Sequence, residues 1–327
     1  MKFRTEIQIN RAEQTIRHSD PILSMGSCFA DNIGQKLQEH FFRVMQNPFG
    51  TLYNPLSVAE ALSIILTNRK FRSEDLFFYQ DAWHSFWHHS VFSGTDRAAV
   101  LLKINEQINE AHRFLQEAQW LILTFGTAYV YYHLPEKRPV ANCHKLPENE
   151  FERRLIRVDE VVESIQALFQ NLRVLNSKIK IVLTVSPIRH IRDGLVQNQR
   201  SKATLILAVQ ELCRQDASLV YFPSYEILTD DLRDYRFYEA NLTHPNDQAV
   251  RYIWEKFGAM FFDRETEKAS EAFAALSTAL KHKPLHPESP NYRKFLRKVL
   301  ERIEGLEKQY PYVDLKLARQ RIEEQLR

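Results

Sequence analysis

Apolar positions along the chain follow two rhythms, short unbroken runs and helical repeats at three- and four-residue spacing. Residues 21–25, Pro-Ile-Leu-Ser-Met, predict a short buried strand that runs into Gly26-Ser27-Cys28, and residues 31–41 then repeat with helical period. Residues 55–66 predict a second helix opened by Ser57, whereas 71–92 is aromatic and irregular. A helix over 104–115 precedes the run Trp120-Leu121-Ile122-Leu123-Thr124-Phe125, which stops at Gly126 and has the pattern of a central parallel strand. A further strand over 128–132 follows directly. Residues 158–175 predict a helix and 179–185 a strand stopped by Ser186-Pro187. Then come a helix over 201–214 with Ser201 as its N-cap, a strand over 219–222, and a helix over 245–262 with proline in its first turn.

Strands alternating with helices predict an α/β fold, a doubly wound, mostly parallel sheet with helices on both faces. Beyond residue 264 the strand signal ends. Residues 265–280, 293–310 and 312–327 read as charged amphipathic helices, and 283–290, with three prolines, as a linker. The expected division is an α/β domain over 1–263 and a C-terminal helical appendage over 264–327. The appendage is most simply solvated, with a homo-oligomer surface as its other use.

Composition narrows the function classes. Eight glycines in 327 residues exclude collagen-like and glycine-loop repeats. Lys+Arg 44 against Asp+Glu 41, interspersed, gives a net charge of +3 and no footprint for nucleic acid. The first residues reach charge before any signal-length apolar run, and no stretch approaches a membrane span, so a soluble cytoplasmic protein is expected. Cys28, Cys143 and Cys213 are too widely spaced for a CxxC pair and too few for a disulfide framework, so reduced thiols are expected.

Ligands of an open α/β sheet bind beyond the carboxyl ends of its strands. The segments there are Gly26-Ser27-Cys28, Gly126-Thr127, Ser186-Pro187-Ile188-Arg189-His190 and, before the late helix, Asn241-Leu242-Thr243-His244-Pro245. A nucleophile at a tight turn into a helix gains that helix's partial positive charge, which suits Ser27 or Cys28. His244, expected at a helix start, is the candidate base, and Asn241 the residue that orients its ring.

These segments, together with Gly26-Ser27-Cys28-Phe29-Ala30, Asn47-Pro48-Phe49-Gly50-Thr51-Leu52-Tyr53-Asn54-Pro55, Asn142-Cys143-His144-Lys145 and His244-Pro245-Asn246, resemble the GSCFA family over about residues 20–262. That family is distantly similar to SGNH (GDSL-type) esterases and acylhydrolases. The resemblance implies the flavodoxin-like SGNH fold, with Cys28 on the nucleophile position, Ser27 on the preceding Asp position and Asn241 in place of the triad carboxylate. It places oxyanion donors at Gly50 and Gly126, with Thr127 beside them where the related enzymes carry a Gly-x-Asn block. Substrate contacts are expected from Asn54, His144, Arg189, His190 and Lys202, the cations suited to a carboxylate or phosphate.

The histidine-rich segment Trp83-His84-Ser85-Phe86-Trp87-His88-His89 reads as a packed aromatic loop or a pocket wall. It lacks ordered zinc-ligand spacing, and no metal or cofactor is expected. The leading expectation is a hydrolase or acyltransferase for an ester, thioester or O-acyl group, on a small molecule or an acylated carbohydrate. The alternative is an SGNH-type binding module for a small acyl or sugar ligand. A third reading makes the helical tail a scaffold for a partner protein.

Overall fold

The computed structural model describes residues 4–326. Its elements are β1 (Ile22–Gly26), α1 (Cys28–Glu39), β2 (Val44–Gln46), α2 (Pro55–Thr67), β3 (Phe77–Tyr79), β4 (Ala82–His84), α3 (Arg97–Glu117), β5 (Trp120–Phe125), β6 (Tyr129–His133), β7 (Arg138–Val140) and β8 (Phe151–Leu155). There follow α4 (Val158–Leu175), β9 (Lys180–Val185), α5 (Gly194–Gln215), β10 (Leu219–Phe222), α6 (Ser224–Glu226), α7 (Asp247–Phe261), α8 (Arg264–Leu280), α9 (Pro290–Gln309) and α10 (Lys316–Leu326).

Five strands form the central sheet in the order β2-β1-β5-β9-β10, every pairing parallel. Counted along the chain this is 2-1-3-4-5, the flavodoxin-like order, whose direction reverses between β1 and β5. Strand alternation sends Leu121, Leu123 and Phe125 of β5, with Ile181, Leu183 and Val185 of β9, into a core shared with α2, α3, α4 and α5. Trp120, Ile122 and Val182 face the other way, onto α1 and α7. Both faces are covered, which is why these strands read as unbroken apolar runs.

Several expected boundaries move. Asn54, not Ser57, caps α2, its Oδ1 accepting the Ser57 N–H at 2.9 Å. Ser201 does not cap α5, which begins seven residues earlier at Gly194. Instead its buried hydroxyl accepts the Ala128 N–H at 2.7 Å. Asn246 caps α7, so His244 precedes the helix and does not start it. The strand expected over 128–132 is β6, which leaves the parallel sheet and forms a small antiparallel sheet, β7-β6-β8. The irregular aromatic region holds the hairpin β3-β4.

The tail helices bury their apolar faces among themselves, around Phe273, Leu296, Ile303 and Ile322. The bundle is docked on the end of α1. Phe273 stacks on His18, Lys281 pairs with Glu39 at 2.6 Å, and Ser270 Oγ bonds His40 Nδ1 at 2.6 Å. Much of the surface expected for self-association is thus spent within the chain.

Candidate active site

The reversal point places the turn after β1 beside the turn after β5. Gly26, at φ +138°, lies so close to β5 that a Cβ would stand 2.1 Å from the Thr124 carbonyl oxygen. Its N–H donates to Asn47 Oδ1 at 2.8 Å, and Asn47 Nδ2 donates to Asp31 Oδ1 at 2.7 Å. Asp31 also accepts from Gln46 and Thr51, so one carboxylate on α1 fastens the whole 46–51 loop.

Ser27 is buried and caps α1, its Oγ accepting the Phe29 N–H at 3.3 Å. Cys28, the first helical residue, keeps a half-buried thiol with Sγ 3.7 Å from the Tyr53 hydroxyl. Burial pushes the Cys28 thiol up from its ordinary value; the Tyr53 bond opposes this and the Asp31 charge adds to it. The resting thiol is therefore protonated at neutral pH, contrary to what its place at a helix start suggests.

The three expected oxyanion residues are already engaged. The Gly50 N–H donates to Asn47 O at 2.7 Å, and the Gly126 and Thr127 N–H groups both donate to Tyr53 O, at 2.8 and 2.9 Å. These bonds hold the Tyr53 loop against the sheet, and the three amides face protein carbonyls, not a ligand. The backbone amide of Cys28 lies against its own thiol, where it favours the thiolate.

Asn241 does reach His244, but by its amide nitrogen, with Nδ2 to Nδ1 at 3.1 Å. Its Oδ1 accepts the Thr243 and His244 N–H groups at 2.9 and 3.0 Å, which fixes that orientation of the carboxamide. Thr243 Oγ1, which itself donates to Asn241 Oδ1, also lies 3.0 Å from Nδ1, so this ring nitrogen has an amide donor and a hydroxyl beside it. A carboxamide that oriented a general base would present oxygen to the ring N–H.

His190, expected as a substrate contact, stands beside the same strand-end turns. Its Nε2, buried and unpartnered, lies 2.9 Å from where a Gly126 Cβ would be, with the Ser27 Cβ 3.0 Å from the same point. The ring packs edge-on to Tyr53 at 5.4 Å. Burial first, then the nearby Lys202, pulls its pKa down to about 3, so it is neutral. Tyr53, Asn47 and Asp31 were not singled out as site residues by sequence reasoning. All three lie in or beside the quoted motifs, and the polar Asn47 and Asp31 at a strand end were the available signal.

A cavity of about 590 Å³ opens next to this turn, walled by Tyr53, Asn54, Thr127, Tyr129, Tyr131, Cys143, Arg153, Arg189, His190 and Arg192. Cys28 and His244 are not among its lining residues, though Cys28 touches the lining Tyr53 and His244 follows the lining Thr243 in the chain. Two expected substrate contacts are absent from it. Lys202 is 1% exposed and donates to the carbonyls of Gly126 and Ser186 at 2.6 and 2.7 Å, tying the ends of β5 and β9 together. Burial pulls its pKa down to about 7. His144 is buried, with Nε2 on Ser85 O at 2.8 Å, and contacts His84 in the neighbouring aromatic layer. Among the described residues no group of three or more His, Cys, Asp or Glu is placed to hold a metal ion, and no helix is long and apolar enough to cross a membrane.

Fold and site define an α/β protein of the flavodoxin-like order with a thiol at its reversal point. The chain belongs to the GSCFA family, whose model matches residues 21–257; the C-terminal domain of GSCFA domain proteins matches residues 273–327. No curated protein matches it. Among solved structures it is similar to a carbohydrate esterase family 3 from Talaromyces cellulolyticus, at 8% identity and a TM-score of 0.35, over 73% of this chain and 94% of that one. At that distance neither ligand nor activity transfers.

Proposed function

We propose that the protein is an SGNH-like cytoplasmic acyl hydrolase or acyltransferase, with Cys28 as nucleophile toward an ester, thioester or O-acyl group. The supporting observation is the place of Cys28, on the first turn of α1 at the sheet's reversal point and beside the cavity-lining Tyr53. Residues 1–263 carry the reaction and 264–327 form the extension.

In this reading Tyr53 swings aside as substrate enters. The Cys28 Sγ attacks the acyl carbonyl while its proton passes to Nε2 of His190, unpartnered in the resting site, whose burial-lowered pKa must rise in the complex for it to hold the proton. The Cys28 N–H and the Tyr53 hydroxyl receive the oxyanion. The carbon–heteroatom bond to the leaving group then breaks, and His190 returns the proton to that group. Water or an acceptor hydroxyl next attacks the thioester, regenerating Sγ–H. Tyr53 stays protonated, because burial and the neighbouring thiol raise its pKa.

Turnover of a p-nitrophenyl acyl ester tests this reading. Cys28→Ala and His190→Gln are expected to lose about 10³-fold or more, while Ser27→Ala and His244→Gln stay within about tenfold. Full turnover by Cys28→Ala overturns it; a dead His244→Gln beside an active His190→Gln returns the base role to His244. One observation favours the second reading, a catalytically drifted binding module: the amides of Gly50, Gly126 and Thr127 are all internally bonded. Wild-type protein that binds acyl ligands and turns over neither oxygen esters nor thioesters is the outcome that selects it.

A further inference from the structure

The cavity wall carries three arginines and two histidines and, among the described residues, no Asp or Glu. Two of the arginines are pinned from behind. Arg153 pairs with Asp193 and lies over the Tyr129 ring at 4.0 Å, while Arg192 pairs with the exposed Glu148. Arg189 differs. Its guanidinium lies over the rings of Tyr238 at 4.1 Å and Tyr235 at 5.1 Å and donates to the Leu242 carbonyl at 3.3 Å. No carboxylate lies within ion-pair distance of it among the described residues. Tyr235 and Tyr238, which with Asp234 line an adjoining concavity of about 280 Å³, place this fork of donors on the wall that the two concavities share, without an ion-pair partner among the described residues.

An unpaired guanidinium costs little at an exposed surface, where water solvates it. Arg153 and Arg192 are matched by Asp193 and Glu148, so among the described residues Arg189 is the arginine of this wall left for an incoming anion to pair. The Nε of Arg153 and the Nε2 of His190 add buried polar atoms without partners on the same wall.

We propose that this cavity binds an anionic ligand, and that Arg189 clamps its carboxylate or phosphate group. The site itself is independent of catalysis; calling the ligand a substrate rests on the acyl-transfer reading above. The bound group would sit on the Arg189 side of the cavity, with the acyl carbon toward Tyr53 and Cys28.

Calorimetric titration of the full-length protein with glutarate, inorganic phosphate and the neutral glutaramide tests the proposal. At least one anion is expected to bind about tenfold or more tightly than glutaramide, the size of a charge-assisted contact. Glutarate ahead of phosphate assigns a carboxylate, the reverse a phosphate. Arg189→Met is expected to lose that preference and Arg189→Lys to keep part of it; matching circular dichroism and melting establish that both are folded. Equal binding of all three probes, or an undiminished preference in folded Arg189→Met, overturns the anion site whatever Cys28 does. Arg189-dependent binding by a protein inert toward every acyl compound overturns the acyl-transfer reading and leaves the anion site standing.

Discussion

The turn after β1 and the segment 241–244 carry the nucleophile and the base that the sequence leads one to expect, yet they are built in opposite ways. The turn is welded into the sheet: Gly26 is pressed on Thr124, Asn47 and Asp31 bond it to the following loop, and Ser27 is buried beneath the helix start. In segment 241–244 Asn241 and Leu242 are exposed and Thr243 and His244 half-buried, with Asn241 accepting two amides of its own loop and the carbonyls of Thr243 and His244 accepting from Arg189 and Glu239. A fixed thiol thus stands against a half-buried imidazole whose Nδ1 meets both Asn241 and Thr243. His190, by contrast, follows β9 and is tied to α5, its backbone N–H donating to Asn198 Oδ1 at 2.9 Å.

Gly26→Ala tests the rigid half most severely. The added Cβ meets backbone at 2.1 Å with φ at +138°, so a loss of about 3 kcal/mol or more is expected in chemical denaturation. A near-neutral result would mean that the turn can move. Asn47→Ala strips the Gly26 N–H and one Asp31 contact and is expected to cost about 2 kcal/mol. Equivalent truncation of Asn241, on the exposed segment, should cost clearly less.

Reactivity sharpens the contrast. Because burial holds the Cys28 thiol above its ordinary pKa, the thiolate is scarce at pH 7. Iodoacetamide should therefore modify it more slowly than a free thiol, with a rate that climbs as pH rises past 9. Rapid labelling at pH 7 would mean that a histidine already takes its proton, and the rigid and mobile halves would then be coupled at rest. Asn241→Asp should change stability least, by about 0.5 kcal/mol or less at an exposed site. It puts an acceptor opposite Nδ1 and should favour the His244 ring proton on Nδ1 relative to the wild type, read from the imidazole nitrogen shifts. An unchanged tautomer would show that Thr243, whose Oγ1 lies 3.0 Å from Nδ1, governs the ring instead.

Local pattern carried much of the architecture. The apolar runs of β5 and β9 and the helical periods of α4 and α7 announce a doubly wound sheet, because strands covered on both faces must be apolar throughout. The short strands β2, β7 and β8 escaped because three to five residues, half of them polar, give no period to read. The α5 start escaped because its first turns, 194–200, are largely exposed and polar. At the site, Gly26-Ser27-Cys28 and Arg189-His190 were legible as strand-end chemistry.

What the sequence alone determined is therefore which residues stand at the carboxyl ends of the strands, since strand length and turn residues are local properties. What only the tertiary structure decided is which of their polar atoms remain free. Each amide of Gly50, Gly126 and Thr127 is claimed by a carbonyl from another part of the motif loops, and Lys202 by carbonyls 76 and 16 residues away. A buried donor must take whatever acceptor packing brings to it, and residue spacing does not encode that choice.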